Sequence, residues 1–188
     1  MKANKTISLL LILLILSVVF LGVLALASQY VNNQAANTGV PVKEVQERAF
    51  TNLTASSSKN EIAVGETFPI TVSIDTGDNL VTIVQLALSY DPTLLTIESV
   101  SQGDFFVTPI EYAKKIDKEL GEIQYAIGSF EGKKGQGTLA TIRVTAKKKT
   151  QANAPVEVLT IKSTSIVAEL GSEQSVLKAR KGASVVVR

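Results

Sequence analysis

Apolar and polar residues follow two different patterns along this chain. Residues 7–27 carry no charged side chain and are mostly large and apolar. A helix over this segment, rising about 1.5 Å per residue, would span roughly 31 Å, which is enough to cross the hydrocarbon core of a bilayer. From about residue 50 onward, short apolar runs alternate with polar residues, as in half-buried strands. The pattern predicts one N-terminal hydrophobic helix followed by an all-β domain.

The β pattern is clearest over residues 68–75 and 81–90, where apolar side chains occupy every second position. Further strands are predicted over residues 95–100, 123–127, 140–146, 156–161 and 185–187. Gly, Pro, Asp and Asn separate these runs at intervals of about 8–15 residues, which is typical of an antiparallel β-sandwich. Only the short segment 111–120 has a pattern compatible with a helix.

The N-terminal hydrophobic segment is expected to direct export of everything that follows it. Lys2 and Lys5 precede the segment, so the positive-inside rule places the N-terminus in the cytoplasm. Two interpretations stay open: residues 1–27 are a transmembrane anchor, or they are a signal peptide cleaved after Ala27, where the small residues Ala25 and Ala27 suit signal peptidase. Residues 28–49, rich in Asn, Gln and Ala, are expected to be a linker, and residues 50–188 the folded domain.

The composition argues against several classes of function. The chain has no Cys, His or Trp, so it lacks thiol nucleophiles, the usual zinc ligands and the commonest general base. We find no catalytic motif and expect no enzyme activity, cofactor or metal. Without Lys2 and Lys5 the exported part has seventeen basic and seventeen acidic residues, and this balance gives no reason to expect a nucleic-acid partner.

Four sequence blocks in the β domain resemble the cohesin family. They are residues 64–68 (VGETF), 88–95 (LSYDPTLL), 99–106 (SVSQGDFF) and 137–144 (GTLATIRV). They occur in the family's order and extend over the whole domain. The resemblance implies a nine-stranded jelly-roll β-sandwich, related in fold to cellulose-binding modules. It also implies that the domain binds a protein partner, the dockerin domains of secreted enzymes, with links to polysaccharide degradation or cell-surface assembly.

Strand alternation and the resemblance together predict a partner-binding face. The residues expected to point outward on three neighbouring strands are Ile83, Gln85, Ala87, Gln124, Ala126, Leu139 and Thr141. These side chains are small, flat and largely uncharged, and such a surface suits the docking of a helix. The chain departs from type I cohesins, which often carry Asn or Asp on the first of these strands, where Ile83 and Gln85 stand here.

Two other functions remain as alternatives. A carbohydrate-binding module of the same fold superfamily needs exposed aromatic rings, but Trp is absent, Tyr112 is expected in a loop, and Tyr90 and Tyr125 are expected to face the core. A general surface adhesion or structural domain needs no specialised face. The acidic turn 75–79 has oxygen ligands of the kind that calcium prefers, yet its residues are also ordinary turn formers.

Overall fold

The structure is a computed structural model that describes residues 49–151 and 154–188. The hydrophobic helix predicted over residues 7–27 lies outside these ranges, as does the predicted linker except for its last residue. Within the described ranges, no helix is long and apolar enough to cross a membrane.

The described residues form twelve strands. They are β1 (Thr51–Ser57), β2 (Glu61–Ile62), β3 (Thr67–Asp75), β4 (Val81–Tyr90), β5 (Leu95–Gln102), β6 (Ile110–Asp117), β7 (Glu122–Lys133), β8 (Gln136–Ala146), β9 (Val156–Ile161), β10 (Ile166–Glu169), β11 (Leu177–Lys181) and β12 (Ala183–Val187).

These strands are arranged in two sheets. The first has the order β11-β1-β3-β8-β5, and the second the order β2-β12-β9-β4-β7-β6, with β10 also paired to β4. The predicted all-β sandwich is confirmed. The segments number twelve rather than nine, in part because β9 and β10 are consecutive pieces that both pair with β4 and because β2 is only two residues long.

One hydrophobic core fills the space between the sheets. Its members come from alternate positions, such as Ile70 and Ile142 in the first sheet and Leu86 and Ile127 in the second, all at most 1% exposed. Removing this apolar area from water is the main stabilising contribution, at about 25 cal/mol per Å². Tyr90 and Tyr125 are buried in the same core, as predicted from the strand pattern.

The expectation that residues 111–120 could be helical is wrong. Ile110–Asp117 form the edge strand β6, antiparallel to β7. Glu, Ala and Lys in this segment favour a helix intrinsically, but backbone hydrogen bonds to β7 override that weak preference. Tyr112 therefore lies in a strand and not in a loop, at a register shift between Glu111 and Ala113.

Candidate partner-binding face

The outer surface of the second sheet carries two rows of mostly apolar residues, which we call the apolar half of the face. Strand register sets each row, since residues directly opposite in an antiparallel pair point to the same side. The first row runs Ile110, Gly128, Ile83, Ala168, and the second runs Ala113, Ala126, Gln85, Ile166. Ile83 is 38% exposed and Ile166 is 46% exposed. Large apolar side chains thus lie open to solvent beside small ones.

Two further rows continue the same surface and form its charged half. The third row contains Lys115, Gln124 and Ala87, and the fourth contains Asp117, Glu122, Ser89 and Thr160. Glu122 forms an ion pair with Lys162, whose Nζ is 2.7 Å from Oε1 of the carboxylate. Polarity therefore changes along the strands, from apolar near Ile83 to charged near Glu122.

Ala87 belongs to this surface by alternation but is only 3% exposed, so the prediction that it is open to a partner is wrong. It stands where β4 changes neighbour, with β10 opposite Val81 to Gln85 and β9 opposite Leu88 to Tyr90. The connection 162–165 between those two strands hydrogen-bonds the Ala87 backbone through Lys162 and Ser165. A tertiary connection therefore occupies the place that periodicity assigned to solvent.

Leu139 and Thr141 were expected on the same face and are not there. Both belong to β8, which lies in the other sheet between β3 and β5. Leu139 is also 1% exposed, because a register shift near it breaks the alternation: Val72 pairs with Ala140 while Ser73 pairs with Thr138. The extra residue of this β-bulge turns inward. Thr141 is half-buried on the outer side of the first sheet.

Of the expected face residues, the structure brings Ile83, Gln85, Gln124 and Ala126 together. It adds residues that periodicity missed: Ile110, Ala113 and Lys115 on β6, and Ile166 and Ala168 on β10. The first three were missed because their segment has helix-favouring residues. The last two were missed because β10 has only four residues, too few for a period-2 signal.

Behind the face, Tyr125 of β7 is 1% exposed and its hydroxyl has no hydrogen bond of good geometry among the described residues. Burial, and after it the nearby Glu111 carboxylate, together raise the pKa of Tyr125 to about 12. The Tyr90 pKa is also raised, first by burial and then by the charge of Asp117. Both phenols stay neutral at physiological pH.

The possible metal site and the depression on the first sheet have fewer features of a binding site than the face described above. Within the described residues, no group of three or more Asp or Glu side chains is placed to hold a metal ion. In the acidic turn, the Asp75 carboxylate accepts hydrogen bonds from the Gly77 amide at 3.1 Å and from Gln136 at 2.9 Å. A shallow depression of about 350 Å³ lies beside it on the first sheet, lined by Asn52, Thr54, Ser73, Ile74, Asp75, Gln136, Gly137 and Thr138. Its lining has no aromatic ring.

Comparisons with known proteins agree with this architecture. The Cohesin domain family model matches residues 52–185. The fold is similar to the type II cohesin A11 from Bacteroides cellulosolvens, with 11% identity and a TM-score of 0.62, covering 73% of this chain and 99% of that one. It is also similar to a non-cellulosomal cohesin from Archaeoglobus fulgidus, with 16% identity and a TM-score of 0.56, covering 73% and 91%.

A third similar structure is a type II cohesin–X–dockerin complex from Acetivibrio cellulolyticus, with 16% identity, a TM-score of 0.58, and coverage of 73% of this chain and 99% of that one. At such identities these similarities concern the fold. A comparison with curated protein sequences finds no match.

Proposed function

The chain belongs to the cohesin domain family, and on that premise we propose that it is an exported, membrane-anchored module that binds a protein partner through dockerin-type helices. The binding surface in this proposal is the outer face of β6, β7, β4 and β10. The observation that carries the proposal is the apolar half of that face, where Ile83 and Ile166 remain exposed on a sheet whose inner side is already packed.

The shape and chemistry of the apolar half suit a helix. Ala113, Ala126 and Gly128 project little from the sheet, so a helix backbone could approach closely, while Ile83 and Ile166 supply apolar area at its sides. Covering such area contributes about 25 cal/mol per Å². A few central apolar residues usually dominate an interface of this kind, at about 2 kcal/mol or more each.

Export and anchoring are the second part of the proposal, and they rest on the sequence alone. The uncharged segment 7–27 follows Lys2 and Lys5 and has the length of a bilayer span. A retained segment would hold the domain on the outer side of the cytoplasmic membrane, whereas cleavage after Ala27 would release it. The partner would then be a secreted or surface protein, such as a polysaccharide-degrading enzyme that carries a dockerin.

The experiment is partner capture by the full-length chain in mild detergent, using extracellular extract from the source cells and, separately, the X–dockerin module of the Acetivibrio complex. We expect Ile83→Lys and Ala126→Asp to weaken capture at least tenfold, about 1.4 kcal/mol. Lys148→Glu, in the loop after β8, is the control and should capture as the wild type does. Equal capture by the face variants and the wild type would refute this face as the binding surface.

A carbohydrate-binding role makes a different prediction for the same preparation. If a polysaccharide binds at the depression near Asp75 on the first sheet, insoluble polysaccharide should retain the wild type and Ile83→Lys equally. Pull-down on insoluble cellulose and chitin, run in parallel, distinguishes the two functions.

A further inference from the structure

The charged half of the face contains one lysine, Lys115, that forms no ion pair among the residues that the structure describes. Glu122 is paired with Lys162 at 2.7 Å. The Asp117 carboxylate accepts the Glu119 amide at 3.2 Å and the Leu120 amide at 2.9 Å, which closes the turn after β6. Lys115 is exposed and makes neither an ion pair nor a hydrogen bond among the residues that the structure describes.

Lys115 projects to the same side as the apolar half. It is directly opposite Gln124, and Ala113, two residues earlier on β6, is opposite Ala126. The neighbouring Lys114 lies opposite the inward-facing Tyr125 and forms its own ion pair with Glu111, at 3.0 Å. Of the two adjacent lysines, only Lys115 therefore meets a partner that covers the face.

A partner that covers Lys115 removes water from its ammonium group, and that loss is unfavourable unless another charge replaces the water. Glu122 is paired with Lys162, and Asp117 is held in its turn by two backbone amides, so neither carboxylate forms an ion pair with Lys115. A carboxylate on the partner would supply that contact. We infer that the partner helix presents a carboxylate against Lys115 as well as an aliphatic side chain over Ile83 and Ile110. This inference rests on the proposed function.

Strand geometry fixes the spacing between these two contacts. Gly128, in the row of Ile83, and Gln124, in the row of Lys115, are four residues apart on β7, or about 14 Å at roughly 3.4 Å per residue. A helix lying along β7 covers that length in about nine residues, at about 1.5 Å each. Residues on one side of a helix recur at intervals of three or four, so the aliphatic and acidic residues should lie about seven, eight or eleven positions apart.

The experiment is a selection on the full-length chain in mild detergent. The probe is a yeast-displayed library of a two-helix dockerin scaffold with its exposed helix positions randomised. Binders are first sorted for loss of binding to Ile83→Lys, so that only those on the face are kept. They are then titrated against the wild type, Lys115→Glu and the matched control Lys114→Glu, which makes the same change in net charge on the other side of β6.

We expect the face binders to carry Asp or Glu at the stated spacing from Leu, Ile or Val. They should lose at least tenfold affinity for Lys115→Glu and keep their affinity for Lys114→Glu. Exchanging the selected acid for Lys should restore binding to Lys115→Glu. Face binders without an acidic preference, or with equal affinity for Lys115→Glu, would overturn the inference while leaving the proposed face intact. Binders that all tolerate Ile83→Lys would instead count against the proposed face itself.

Discussion

The hydroxyl of Ser165 replaces a missing strand at Ala87. It accepts a hydrogen bond from the Ala87 amide at 3.1 Å and donates to the Ala87 carbonyl at 3.2 Å, and Ser165 is 4% exposed. At this point β4 has β10 on one side of the gap and β9 on the other, and neither strand reaches the Ala87 backbone. The Ser165 hydroxyl thus pairs with both backbone polar groups of a buried residue, whose carbonyl also accepts the Lys162 amide at 2.8 Å. These bonds let β4 pair with two segments in succession.

Replacing Ser165 with alanine should destabilise the domain by about 1–3 kcal/mol, because it leaves the buried Ala87 amide without a partner. Urea unfolding of the full-length chain, followed by tyrosine fluorescence, measures the change. Ser163→Ala, in the same connection but exposed, is the matched control and should stay within about 0.5 kcal/mol of the wild type. Equal stability of the two variants would mean that the hydroxyl is dispensable.

Ala87→Asp and Ala126→Asp should behave differently although both positions point outward by alternation. Ala87 is 3% exposed, so a carboxylate there would be buried without a cation, and we expect a loss of several kcal/mol or failure to fold. Ala126 is half-buried at the open surface, so Ala126→Asp should cost about 1 kcal/mol or less while weakening partner capture. Thermal unfolding by circular dichroism separates the two. Similar melting temperatures would contradict the burial assigned to Ala87.

Leu139→Ala should act on stability and not on partner binding. Leu139 is in the core, and truncating a buried leucine typically costs about 2–5 kcal/mol. Thr141→Ala, two residues away and half-buried on the outer side of the first sheet, is the comparison and should cost less than about 1 kcal/mol. Partner capture measured on the folded fraction should be the same for both. A binding defect in folded Leu139→Ala would place β8 at the interface after all.

Tyr125→Phe should stabilise the domain slightly or leave it unchanged at neutral pH, since the buried hydroxyl makes no good hydrogen bond. The effect should grow in alkali. Because the folded-state pKa is about 12, above the usual value of 10.0, the unfolded chain loses this proton first, and the wild type loses stability as pH rises from about 10 to 12.

The measurement for this prediction is the unfolding free energy of wild type and Tyr125→Phe between pH 7 and pH 12. Tyr112→Phe, at a 49% exposed position, is the control. Above about pH 10, the unfolding free energy of Tyr125→Phe should diverge from that of the wild type, whereas the curve of Tyr112→Phe should stay parallel to the wild-type curve. Parallel curves for all three proteins would contradict the raised pKa.

Gly121 illustrates a backbone position that only glycine fits. Its φ is +68°, and an added Cβ would lie 2.2 Å from the Tyr90 carbonyl oxygen. Gly171, with φ +79° and nothing within 4 Å of an added Cβ, is the matched control. Both alanine variants carry the strain of a positive φ, of order 1–2 kcal/mol. Gly121→Ala should be clearly the less stable in urea unfolding, because the clash adds to the strain, and equal losses would show that the turn can shift.

Local pattern was enough to predict the type of fold. Alternation over residues 68–75 and 81–90 identified two strands, because each strand has one side in the core and one in solvent. That difference in environment produces the alternation of apolar and polar residue types. The same logic assigned Tyr90 and Tyr125 to the core and placed Ile83, Gln85, Gln124 and Ala126 on one outer surface. The hydrophobic segment and its flanking lysines likewise carry their export prediction without any tertiary information.

What the sequence could not decide depends on which strands become neighbours. Leu139 follows the alternation of a surface residue, but the β-bulge that turns it inward exists only in the pairing of β8 with β3. Ala87 is buried by a connection that contains Ser165, 78 residues further along the chain. The segment that became β6 has helical preferences worth only tenths of a kcal/mol per residue, which the ladder to β7 outweighs. Periodicity reports how one strand divides its side chains between two sides, whereas long-range pairing alone determines what covers each side.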